Sequence, residues 1–112
     1  MQEILIGGNE ETQIIMNAAM GNRHGMISGA TGTGKTVTLQ ILAEGYSRLG
    51  VPVFMADIKG DLSGIAKQGK AHEKITERIE TIKIDGFQFR ANPTVFLGYF
   101  FQKWTSSAHY YF

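Results

Sequence analysis

Gly29-Ala30-Thr31-Gly32-Thr33-Gly34-Lys35-Thr36 is the stretch on which the reading of this chain turns. Two glycines separated by four residues are followed by Lys and Thr, and each position has a physical task. The glycines let the backbone take conformations that a side chain would forbid, so that successive N–H groups converge on phosphate oxygens. Lys35 adds a mobile positive charge toward the β- and γ-phosphates. Thr36 supplies a hydroxyl to Mg²⁺, and a helix starting here turns its positive end toward the same anion. The ligand implied is a nucleoside triphosphate, ATP with Mg²⁺ first, held in a Walker A loop.

Outward from the loop, residues 24–28 (His-Gly-Met-Ile-Ser) form a short apolar run that predicts a strand, and a helical pattern follows. Val37, Ile41, Gly45 or Tyr46, and Leu49 recur at three- and four-residue spacing, which predicts one face packed on a sheet. Gly50 and Pro52 end that helix. Residues 51–56 are apolar throughout, as in a buried parallel strand covered on both faces. The order strand, loop, helix, strand predicts an α/β fold with a parallel sheet and helices on both faces. Elsewhere, Ile4-Leu5-Ile6 before Gly7-Gly8 predicts a strand and turn, and residues 12–20 are apolar with mixed periodicity. Residues 71–79 predict a helix with Ile75 and Ile79 inward and Glu73, Lys74, Glu77 and Arg78 on a solvated face. Residues 82–84 and 87–89 flank Asp85-Gly86, which predicts a hairpin. Glu44 and Arg48, four apart on the outer helix face, predict a solvated ion pair.

The loop after the second strand has two readings. Asp57-Ile58-Lys59-Gly60 is similar to the pattern by which small GTPases hold Mg²⁺ and touch the γ-phosphate, yet no Asn-Lys-x-Asp guanine site occurs in the chain. Alternatively, Asp57 and Asp61 simply start a turn by local hydrogen bonding. Arg23 and His24, just before the first core strand, either occupy a surface loop or reach toward a nucleotide or a neighbouring subunit.

Composition narrows the function classes. In 112 residues, eleven basic side chains stand against ten acidic ones, so composition offers no electrostatic footprint for nucleic acid or anionic lipid, and any DNA partner must be argued otherwise. There is no cysteine, which removes disulfides, thiolate metal sites and cysteine nucleophiles together. The start lacks a signal-peptide pattern and no run approaches bilayer length, so a soluble cytoplasmic protein without a membrane partner is expected.

Asn22-Arg23-His24-Gly25, the phosphate loop continued through Val37-Thr38-Leu39-Gln40, Asp57-Ile58-Lys59-Gly60-Asp61-Leu62 and Ala91-Asn92-Pro93 stand in this order along the chain. Together they resemble a bacterial family of HerA-like ATPases in the HerA/FtsK branch of P-loop NTPases, over residues 6–96. The resemblance implies an incomplete amino-terminal portion of a P-loop ATPase domain, with a cofactor-binding set from Gly29 to Val37 and a catalytic role for Lys35. It makes Asp57 a structural residue near the nucleotide, because the magnesium-binding and catalytic acids of such proteins arrive later. Full-length relatives are homo-hexameric ring motors that translocate DNA, described as helicases, so DNA and the hexamer are expected only of them.

Residues 1–96 are thus expected to be the ATPase portion and residues 97–112 an aberrant tail. Eight of the twelve aromatic residues lie in the last seventeen positions, where the resemblance stops. Permitted codons beginning TTG GGA TAT TTT TTC CAA AAA TGG, read without the first T, encode Trp-Asp-Ile-Phe-Ser-Lys-Asn-Gly, which resembles the family's usual sequence at this place. A reading-frame change is therefore expected. The alternatives are a buried strand and helix, or an aromatic platform for single-stranded nucleic acid, which would want more basic residues than Lys103 supplies. Three functions follow: a fragment of a DNA-translocating ATPase, a nucleotide-binding module or truncation product without turnover, and a GTPase or small-molecule phosphotransferase.

Overall fold

A computed structural model of the chain describes residues 2–97, so the expectation for the tail lies outside the described residues beyond Leu97. The chain opens with an antiparallel pair, β1 (Glu3–Gly8) and β2 (Gln13–Asn17), in which Glu3 faces Asn17 and Gly8 faces Gln13. The register slips between Leu5 and Gly7, a bulge. Asn9 makes the turn: its side-chain oxygen accepts the N–H groups of Glu11 and Thr12 at 3.0 and 2.8 Å. At Gly8 a Cβ would lie 2.6 Å from the Thr12 carbonyl oxygen, which is why the strand ends on glycine.

Helix α1 (Lys35–Arg48) packs across β1. It ends as predicted. Gly50 takes φ +78°, the Val51 N–H donates to the Tyr46 carbonyl at 3.0 Å and the Gly50 N–H to that of Ser47 at 3.0 Å, a Schellman closure. Tyr46 lies on Gly21, where any Cβ would collide with its hydroxyl, and donates weakly to the Ala18 carbonyl at 3.4 Å.

Helix α2 (Glu73–Ile82) starts at His72, whose Nδ1 accepts the Lys74 N–H at 3.2 Å. Its far end docks on the hairpin. The Gln13 amide donates to the Ile82 and Lys83 carbonyls at 2.8 and 3.1 Å, and the Lys83 ammonium to the Glu10 carbonyl at 3.0 Å. These bonds satisfy carbonyls that a helix end leaves orphaned. Ile82 is buried there beside Gly8.

The expected α/β fold of a P-loop NTPase, a parallel sheet with helices on both faces, is not what the described residues form: their sheet is the two-stranded antiparallel pair alone. Residues 24–28 and 51–56, read as core strands, run as irregular chain with Met26 and Phe54 largely exposed. An apolar run records a tendency toward burial, whereas a strand exists only where neighbouring backbone pairs with it. The hairpin expected at residues 82–89 is also absent, because Ile82 belongs to the last turn of α2. Buried apolar residues among those described are Ile4, Ala18, Ala43, Leu62 and Ile82, small for a chain of this length. No helix of the described residues is long and apolar enough to cross a membrane.

Candidate functional site

The loop before α1 is built by its glycines. Gly32 and Gly34 take φ +81° and +94°, the left-handed region that side chains resist. At Gly29 a Cβ would lie 2.5 Å from the Thr33 hydroxyl oxygen. The Ala30 carbonyl accepts both the Thr33 N–H (3.3 Å) and the Thr33 hydroxyl (2.6 Å), closing the turn around Thr31. Lys35 folds back over that turn and donates from Nζ to the Gly29 and Ala30 carbonyls at 2.7 and 2.8 Å. Every residue from Gly29 to Val37 is exposed except Lys35, which is half-buried.

The helix start itself is open. Gly34 is the N-cap and offers no side-chain bond, and the first turn holds no acidic residue. The first N–H groups of α1 therefore lack an internal partner and its positive end is uncompensated. Thr38 turns its hydroxyl inward to the Gly34 carbonyl at 3.1 Å. Among the described residues the Thr36 hydroxyl has no such partner, and Val37 is 56% exposed.

Asp57 makes the local bonds expected of a residue that starts a turn. Its carboxylate accepts the N–H groups of Gly60 at 2.8 Å and Leu62 at 3.0 Å, so it holds the shape of its own loop. Arg23, in a bend, and His24 just after it are both exposed, as a surface loop would have them. Glu44 and Arg48 form the expected pair at 3.6 Å, exposed enough to contribute little stability.

Sequence reasoning missed the ties that hold α1 to the rest. Gln40 donates to the Asp61 carbonyl at 3.2 Å, and Asn92 donates to Glu44 at 3.3 Å and to the Ile65 carbonyl at 3.0 Å. The signal was present in the spacing, since Thr36, Gln40, Glu44 and Arg48 lie on one stripe of the helix. On that side a cleft of about 510 Å³ opens between α1 and residues 84–92, and a second, of about 590 Å³, between residues 51–57 and 92–97. Neither includes the phosphate loop. Among the described residues no cluster of His, Asp or Glu has the makings of a metal site.

A family model described as Helicase HerA-like C-terminal matches residues 2–106. The chain belongs to the HerA-like helicase family. Because the matching description is of a C-terminal domain, the expected amino-terminal portion is corrected in that respect. No curated protein and no solved structure matches this HerA-like chain. The glycine loop, the Asp57 turn and Asn92 all lie within the matched span.

Proposed function

We propose that residues 29–36 bind the triphosphate of ATP with Mg²⁺, and that this chain is the nucleotide-binding part of a HerA-like ATPase. The observation that carries the reading is the start of α1. Two left-handed glycines lead into an uncapped, acid-free helix end, and an ammonium group already sits over the turn. An arriving phosphate would take over Lys35 from the Gly29 and Ala30 carbonyls, an anionic acceptor replacing neutral ones for the same ammonium. Thr36 would offer its hydroxyl to Mg²⁺, whose other ligands are phosphate oxygens and waters. Residues 1–96 would form the ATPase portion, with 97–112 as an aberrant tail. DNA and assembly into a hexamer belong to this proposal only for full-length relatives.

Titration of the chain with ATP·Mg²⁺ tests it. Lys35→Ala leaves the glycines and the Thr33 bonds that close the turn but removes the charge, so affinity is expected to fall at least about tenfold, as for loss of a charged hydrogen bond. Equal affinity of the variant would refute the assignment.

A further inference from the structure

We infer that the cleft of about 510 Å³ beside α1 is the purine-base subsite of the same nucleotide, with Phe87 as its stacking platform. The inference rests on the reading of residues 29–36 as the triphosphate loop. Phe89 is seated on Gly69, where a Cβ would come within 2.8 Å of the ring, and the Gln68 amide holds the Phe89 carbonyl at 3.0 Å. Against this fixed ring Phe87 stands edge-to-face, centroids 5.0 Å apart at 89°, and remains 42% exposed in the cleft wall. An aromatic ring oriented by a half-buried neighbour and left open on the cleft side is a surface on which a flat base stacks.

The opposite wall belongs to α1. Gln40 and Glu44 line the cleft, and both share the helix stripe of Thr36. Along the axis they lie about 6 and 12 Å from Thr36, at 1.5 Å per residue. Ribose and α-phosphate bridge a gap of that order between a bound β-phosphate and its base. Arg90 adds a cation at the rim whose hydrogen-bond acceptor among the described residues is the neutral Gln88 side chain. Its guanidinium is therefore available to a π face. A purine covers more of the Phe87 ring than a pyrimidine does.

The test compares ATP·Mg²⁺ with Mg²⁺-tripolyphosphate, which keeps the phosphates and lacks the base. The wild-type chain is expected to bind ATP more tightly than tripolyphosphate. Phe87→Ala and the bulk-retaining Phe87→Leu are expected to weaken ATP by about tenfold, in the range of one lost stack, and to leave tripolyphosphate unchanged. Phe87→Tyr is expected to restore ATP binding. An unchanged ATP affinity in both Phe87→Ala and Phe87→Leu overturns the subsite, as does an equal loss for both ligands. If the wild-type chain binds neither ligand, the phosphate-loop reading falls and this one with it.

Discussion

In the middle of α1, Gly45 lies directly against Ile4 of β1, so closely that a Cβ would come within 2.6 Å of Ile4 Cγ2. Glycine weakens a helix interior by roughly 1 kcal/mol relative to alanine. Here that loss lets the helix settle on a side chain only 4% exposed.

Gly45→Ala is therefore expected to destabilise the chain despite its better helix propensity. Overpacking of a settled contact costs about 1–3 kcal/mol, which exceeds the propensity gain over most of that range. Urea unfolding followed by circular dichroism measures the balance. A variant as stable as the parent would mean that β1 and α1 yield more easily than the contact implies.

Asp57→Ala should loosen its loop without touching nucleotide affinity by more than about twofold, because the carboxylate is bonded to the Gly60 and Leu62 amides. Amide hydrogen exchange at those two positions is expected to accelerate. Protection that survives the substitution would show that the loop has another support.

The chain alone is expected to release negligible phosphate from ATP. Hydrolysis needs a group that orients or deprotonates water, and Asp57, the acid a GTPase-like reading would enlist, is bonded within its own loop. A phosphate-release assay checks this. Turnover that disappears in Lys35→Ala would reverse the conclusion.

What could be read from the residues divides along local and non-local lines. Helix α1, its closure at Gly50 and the Glu44–Arg48 pair depend on residues within one or two turns of each other, and all were legible. Helix α2 was seen but set too early, since its cap is a histidine side chain and Lys83, not glycine, takes the left-handed turn at its end. Asp85-Gly86 does turn, with Gly86 at φ +66°, yet no hairpin follows because Ile82 is claimed by α2 and its bonds to Gln13. The pairing of β2 with β1 was hidden behind mixed periodicity; Asn9, as a side-chain acceptor for the turn, was the overlooked clue. Of the candidate site, the glycine positions and Lys35 were legible, while Phe87, Phe89 and Gln40 were not, their contacts being set by chain from elsewhere.

The grip of Gln13 on the last carbonyls of α2 joins positions 69 and 70 residues apart in the chain. Everything assigned to the nucleotide except Phe87, Phe89 and Arg90 lies inside the ring of chain so closed. Closure entropy grows slowly with length, about 0.6 kcal/mol per doubling. The ring can therefore accept added sequence between α1 and α2 at small thermodynamic expense. It has little tolerance for losing its clasp. Removing the chain ahead of the glycine loop would take β1, Glu10 and Gln13 itself away from α2, so a domain trimmed to begin there would lose that fastening.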